Sequence, residues 1–465
     1  MEKKKLTQNA GFQSFVASLV CILGGLLVGA IVLVLLAAFN NDIPISEAFR
    51  GIGIVLAGPF SSGSASDILF NFGDMLLEAT PILMTGLAVA IAFKTGLFNI
   101  GAPGQFLMGA TGALLTALSI PTTEGTKIFV WLLALLVGML CGALWGAIPG
   151  IFKAVFKVNE VIVCIMCNWI AANVVSWIFY STGDKYINIA ETKVKFIRPT
   201  LSNNVATPRM GLDKVFPGSN IDIGIFIAII LAILIYILLN KTKLGFELKA
   251  GGFNTNAAKY SGMNGTRNII LSMVIAGALA GGGAALWYLN GKNDFLWNTY
   301  SSLPNEGFNG IPVALLASNN PIGVIFTSIF LRYIGKGGFN LAGYTMFNEY
   351  VSNLIIAVII YFAGASKFIR DWMFNRKKKG VVRKADNVVL VDDLAGTVDK
   401  ANAAAGDISP GDSGDPPDDV EGIAEAADDV KEAAEEVIET AEEAAEAAAD
   451  AADAGETGTE EGGGA

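Results

Sequence analysis

"GFNGIPVALLASNNPIG", residues 307–323, decides the topology of this chain. It lies in an apolar region, 308–334, that is long enough to be read as one membrane span. Inside it, Asn319-Asn320-Pro321 is strong turn chemistry, since Asn tolerates turn backbone and Pro interrupts a helix. One unbroken span leaves an odd number of crossings; a break at Asn320 makes the number even. The basic clusters Lys3-Lys4-Lys5 and Arg376-Lys377-Lys378-Lys379 flank the apolar body, and the positive-inside rule places both in the cytoplasm. Two ends on one side require an even number. The expectation is an all-α polytopic membrane protein with about ten transmembrane helices, some of them broken, and both termini cytoplasmic. Its spans fall near 15–39, 68–93, 97–119, 128–151, 158–180, 222–239, 268–289, 306–318, 321–334 and 345–364.

Composition supports a chain built for lipid. Of 465 residues, 53% are hydrophobic and 16% charged, with a mean hydropathy of +0.53; soluble domains carry about a quarter charged residues. The first apolar run, Val20–Phe39, is too long for a signal-peptide core and is read as a retained span. The net charge of −10 combines two populations. Residues 1–380 hold 28 Lys/Arg against 17 Asp/Glu, and residues 381–465 hold 4 against 25. A transmembrane domain over 1–375 is therefore expected, followed by a Pro/Gly/Asp linker over 376–420. An acidic Ala/Glu-rich tail, disordered or partly helical, completes the chain over 421–465.

Several chemistries are excluded. There is no histidine, which removes imidazole metal sites and Ser-His or Cys-His nucleophiles. No G-x-x-x-x-G-K-[ST] or G-x-S-x-G motif occurs. Cys164 and Cys167 form a C-x-x-C inside an apolar segment, where thiols pack as small hydrophobes. The carboxylates within the spans are few, with Asp74, Glu78, Glu160 and Glu349 among them, and they lie near span ends. An ion-driven carrier marks its path with intramembrane acids, so that alternative is poorly served. A membrane enzyme needs clustered Asp for Mg²⁺, and no such cluster lies in a span.

The polar residues at depth are mostly amides. In "GLFNIGAPGQFLMGA", 96–110, Asn99 and Gln105 flank a Gly/Pro break; Asn168 and Asn309 sit in other spans. An unpaired amide in lipid costs several kcal/mol, and irregular backbone at that depth is tolerated where it lines a cavity or is buried in protein. Broken helices in two halves point to a permeation site. Asn99, Gln105, Asn168 and Asn309 are therefore candidate path residues, with Phe98, Trp169 and Phe308 as aromatics able to stack on a solute. Residues 240–267 form a loop with Lys241, Lys243, Lys249, Lys259 and Arg267 against Glu247, placing it inside. Within it, Asn254 or Thr255 is positioned to cap a short helix ended by Gly262 or Gly265. Such a helix suits docking into a groove of another protein.

Four segments together, "KTGLFNIGAPGQFLMGA", "VNEVIVCIMCNWIA", "LGFELKAGGFNTNAAKYSGMN" and "GFNGIPVALLASNNPIG", resemble the landmarks of ABC-importer permeases. The subgroup is the simple-sugar and nucleoside type, related to ribose and branched-chain amino-acid permeases. The resemblance covers roughly residues 12–370 and leans toward nucleosides. Pro103 and Cys164 depart from the Glu and Thr usual there. It implies a non-catalytic subunit in a bacterial plasma (inner) membrane, with no cofactor of its own. Its partners would be a second homologous permease, cytosolic ATPase subunits carrying ATP and Mg, and an extracellular substrate-binding lipoprotein or periplasmic protein. Asn254, Asn256, Ala257, Ala258, Tyr260 and Gly262 would couple to the ATPase. Simple sugars or branched-chain amino acids are the alternative solutes, and an ion-coupled carrier is the alternative mechanism.

Overall fold

The computed structural model describes residues 10–373 except 41–42, 183–185, 187–204, 254, 292, 294, 296–302, 349, 365–368 and 371. Both basic end clusters, the linker, the acidic tail and Glu349 lie outside these residues. The described residues belong to one unit, Met1–Lys379, and hold helices without strands. In chain order these are α1 (Ala10–Phe39), α2 (Ile45–Ala57), α3 (Ala65–Lys94), α4 (Ala102–Ser119), α5 (Lys127–Phe156), α6 (Glu160–Ser181) and α7 (Leu212–Val215). They continue as α8 (Gly224–Lys241), α9 (Lys243–Phe253), α10 (Thr255–Tyr260), α11 (Gly265–Tyr288), α12 (Asn305–Leu316), α13 (Pro321–Tyr344) and α14 (Tyr350–Gly364).

Among the described residues, seven helices are long and apolar enough to cross a membrane: α1 from Val16, α3, α5, α6, α8, α11 and α13. The break at Asn319-Asn320-Pro321 forms as read. α12 stops at Leu316, Ser318 and Asn319 take positive φ, and the Asn320 side chain caps α13 by accepting from the Ile322 N–H. At about 1.5 Å per residue, the 12 residues of α12 are too short to cross a core of roughly 30 Å. The expectation of a full span at 306–318 is corrected to a half-helix. α2 adds an unexpected element between the first two spans. It buries Ala48, Gly51 and Val55 against α13 and exposes Phe49.

α3 is the axis of the bundle, with 83% of its most apolar window buried against 22% for α1. Lipid tails are as apolar as leucine, so helices in a membrane associate through close packing of small residues. Gly138, Gly142 and Gly146 of α5 repeat every four residues and meet Gly277 and Gly281 of α11. Gly109 of α4 packs on Gly281 from the other side. Backbone meets backbone across this three-helix seam.

One end of the bundle carries the segment 205–223. There the Trp131 indole donates to Thr207 Oγ1 at 3.1 Å, and the Asn220 N–H donates to Asp74 Oδ1 at 3.2 Å. The opposite end carries α9 and α10. Asp222, beside α8 at the first end, is buried with Oδ1 accepting from the Gly224 N–H at 2.7 Å and Oδ2 unpartnered. Burial pushes its carboxyl up to about 7, against the smaller opposing effects of that N–H and of Arg209. The folded protein thus keeps a proton that the unfolded chain releases near the ordinary value of 3.8. Stability then falls as pH rises from about 4 to about 7. Asp222→Asn is expected to flatten this dependence and to raise the unfolding temperature at pH 8, measured by thermal unfolding in detergent at pH 5.5 and 8.

Candidate functional site

The segment between α3 and α4 is where helix gives way to irregular backbone. Residues that leave a helix lose their i±4 partners, and buried N–H and C=O groups must find others. Three amides supply them. Asn99 Nδ2 donates to Gln105 Oε1 at 2.9 Å, and Gln105 Nε2 returns to Asn99 Oδ1 at 3.2 Å. Asn99 Oδ1 also accepts from the Gly101 N–H at 3.1 Å. From α6, Asn168 Oδ1 accepts from the Gly104 N–H at 2.9 Å while its Nδ2 donates to the Ile100 carbonyl at 3.0 Å. All three side chains are buried.

The hydrogen bonds of Asn99, Gln105 and Asn168 are made to one another and to the broken backbone, so the three form a knot that ties α3, α4 and α6 together. Phe98 is half-buried and packs edge-on to Phe93, with ring centroids 5.1 Å apart. Trp169 points outward from α6 beside exposed Met166 and Ile170, away from the knot. Cys164 and Cys167 are free and buried; the Gly101 Cα faces Cys164 closely enough that a Cβ would lie 3.0 Å from its Sγ.

The two interrupted stretches meet. A Cβ on Gly307 of α12 would lie 2.7 Å from Pro103 N, and one on Gly310 would lie 2.5 Å from the Thr85 carbonyl carbon in α3. Thr85 Oγ1 reaches the Glu306 carbonyl at 2.9 Å. α12 therefore starts well inside the bundle, against the middle of α3 and the beginning of α4.

Beside it lies a cavity of about 500 Å³, between α3, α12, α13 and α14. Its polar lining is Asp74, Glu78, Asn309, Arg332, Lys336 and Asn353. Arg332 Nη1 stands 3.8 Å from Glu78 Oε2. The Lys336 ammonium lies 5.7 Å from the Phe70 ring centre and 5.2 Å from that of Phe339. Two carboxylates face two cations, so the lining is balanced in charge and matches a neutral, hydrogen-bonding solute of ordinary ligand size. Of the expected path residues, Asn309 alone reaches this cavity; Phe308 is half-buried beside it in sequence. Sequence reading weighed the acids of the spans and passed over Arg332 and Lys336. Their signal was present: two cations four residues apart within an apolar helix, a pattern that marks function in membranes by default.

At the other end, α9 and α10 make a helical hairpin under the bundle. A Cβ on Gly252, near the end of α9, would lie 2.6 Å from the Thr95 carbonyl carbon and 2.7 Å from Gly96 N. Gly96 has φ +74°, and its own Cβ would meet Gly252 Cα at 2.7 Å. The hairpin therefore rests directly on the turn that opens the broken segment. In α10, Ala258 is buried while Ala257 and Tyr260 are exposed, Tyr260 at 94%. Gly262 ends the helix with φ +77°. Asn254 lies outside the described residues, as does the side chain of Asn256. α9 itself was not expected, because its Gly251-Gly252 pair and mixed polarity read as loop.

The chain is similar in sequence to known proteins. The family described as branched-chain amino acid transport system / permease component matches residues 71–364. The chain is 34% identical over 339 residues to the guanosine ABC transporter permease protein NupP of Bacillus subtilis (strain 168), covering 71% of this chain and 93% of that protein. It is 34% identical over 360 residues to the nucleoside ABC transporter permease protein NupB of Lactococcus lactis, covering 77% and 93%. Identity is 25% over 303 residues to the glucose ABC transporter permease protein TsgB13 of Haloferax volcanii, covering 65% and 78%. No solved structure matches the chain.

Proposed function

Because the chain belongs to the family of ABC-importer permeases described as branched-chain amino acid transport system / permease components, we propose that the solute it admits is a nucleoside. It is a multi-pass membrane subunit of an ABC transporter. The single observation that carries the nucleoside reading is its 34% identity to a guanosine and a nucleoside permease, over 93% of each. The charge-balanced cavity agrees with it. Carboxylates and amides suit the hydroxyls of a ribose, and Phe70 and Phe339 suit a planar base.

In this reading the hairpin end and both termini are cytoplasmic, and the membrane is the bacterial plasma membrane. A second homologous permease faces this one across the path, and a binding lipoprotein or periplasmic protein delivers solute to the end carrying 205–223. ATP and Mg belong to cytosolic ATPase subunits, which dock on the exposed face of α10 around Ala257 and Tyr260, with Asn254, Asn256 and Gly262 shaping that helix and Ala258 anchoring it. Their closure moves the hairpin, the hairpin moves the Thr95–Gly96 turn, and the amide knot carries that shift into α4 and α6. Asn309 and Phe308 are path residues. Asn99, Gln105 and Asn168 position the path, as do Phe98 and Trp169 through packing on α3 and α6.

Competition for uptake tests the solute. In vesicles holding the assembled transporter, excess nucleosides should suppress uptake of labelled guanosine, whereas ribose, glucose and leucine should not. Absence of guanosine uptake by the assembled transporter, or its suppression by glucose or leucine, would refute the reading. Glu78→Gln leaves Arg332 unbalanced in the cavity and is expected to lower uptake about tenfold or more, since breaking a partly buried pair leaves an uncompensated charge. Glu78→Gln with Arg332→Gln restores the balance and should recover part of that loss, read from initial rates normalised to protein in the membrane.

A further inference from the structure

A second cavity, of about 510 Å³, lies at the hairpin end, between the ends of α3 and α8, the body of α9 and the start of α13. Lys94, Asn240, Lys249 and Asn320 form its polar lining, and no carboxylate lines it. Lys249 Nζ donates to Asn240 Oδ1 at 3.2 Å, which fixes one ammonium at the wall. Two cations share the space with only neutral amides to offset them. Leu239, Phe246 and Pro321 make the rest of the lining apolar.

The surroundings say what fits. α8 exposes Phe226, Ile230, Ile233, Leu234 and Ile237 along its length, a lipid-facing stripe that leads down to the cavity. Phe246 is itself 61% exposed at the mouth. Lys241 and Lys243 follow Asn240 in sequence and are exposed; the nearby acid, Glu247, stands 3.9 Å from Lys243. An acyl stripe ending in a cationic cup is complementary to a molecule with two tails and an anionic head. Basic pockets between helices on the cytoplasmic side bind such headgroups.

We propose that this cavity binds the phosphate headgroup of an anionic phospholipid of the inner leaflet. The inference rests on the cytoplasmic placement of the hairpin given above. The site joins α9 to α3 directly beside the Thr95–Gly252 contact, so an occupied cup clamps the hairpin to the bundle, and the lipid becomes a required element of coupling.

The test uses the full-length chain in detergent, with lipids added back and followed by native mass spectrometry and thermal unfolding. Phosphatidylglycerol and cardiolipin are expected to be retained and to raise the unfolding temperature, while phosphatidylcholine is not. Lys94→Ala with Lys249→Ala should weaken phosphatidylglycerol retention about thirtyfold, the change two basic contacts of about 1 kcal/mol each produce. The Lys94→Arg, Lys249→Arg pair should keep it, which separates loss of the site from loss of the fold. Protection by inorganic phosphate equal to that by phosphatidylglycerol would assign the cup to a free anion and overturn the lipid. Equal retention of phosphatidylcholine and phosphatidylglycerol would overturn the site. So would a double alanine variant that retains phosphatidylglycerol as well as the unaltered chain does.

Discussion

Gly252→Val is expected to reduce uptake by more than tenfold while leaving the protein in the membrane at its normal level. The reason is local. A Cβ at this position would stand 2.6 Å from the Thr95 carbonyl carbon and 2.7 Å from Gly96 N, and these are backbone atoms that no rotamer change can move aside. α9 must therefore lift from the end of α3. The helices of the bundle do not depend on that contact, so insertion and the unfolding temperature should change little. The proposed route of transmission does depend on it, since here the hairpin touches the broken segment. Gly251→Val is the matched control: nothing lies within 4 Å of a Cβ there, and near-normal uptake is expected. Transport by Gly252→Val at the wild-type rate would show that force reaches the bundle by another route.

Gly142→Leu should act differently, by preventing the bundle from forming. Its Cβ would press on the Gly277 carbonyl oxygen and stand 2.8 Å from Gly281 Cα. Alanine alone forces α5 and α11 apart, at about 1–3 kcal/mol for overpacking; leucine adds branched bulk with nowhere to go. The seam has no hydrophobic drive to compensate, because separated helices lose nothing to lipid. Membrane levels should fall several-fold and the residual protein should unfold at lower temperature, as judged by quantitative blotting and a thermal melt in detergent. Gly53→Leu, on a part of α2 with no neighbour within 4 Å, should be tolerated. A Gly142→Leu protein that accumulates and melts like wild type would contradict close backbone packing as the source of stability.

The seven long spans among the described residues were legible because lipid demands long apolar runs, and the α12–α13 break was legible because Asn-Asn-Pro is local chemistry. α2 was not, since thirteen residues carrying Glu47 and Arg50 give no span signal and its apolar face emerges only against α13. The amides of the Gly/Pro break were rightly singled out as needing partners. Which partners they take is a tertiary matter: Asn168 sits 64 residues from Gly104, and sequence spacing carries no trace of that pairing. The cavity was half legible. Asn309, Asp74 and Glu78 were noticed, while Arg332 and Lys336 escaped because hydropathy averaging hides two cations in a helix of otherwise apolar character. The contact of Gly252 with Gly96 lay beyond reach, although both glycines stood in segments marked for other reasons.

The central claim is that this subunit admits solute through its own cavity but is driven from outside itself, at the hairpin. The most direct measurement is accumulation of labelled guanosine in proteoliposomes containing the chain alone or with its second permease and ATPase subunits, with ATP or an imposed ion gradient. Accumulation only in the complete assembly, only with ATP, and abolished by Gly252→Val is the expected result. Accumulation against a gradient by the chain alone, or by the assembly on an ion gradient without ATP, would contradict it.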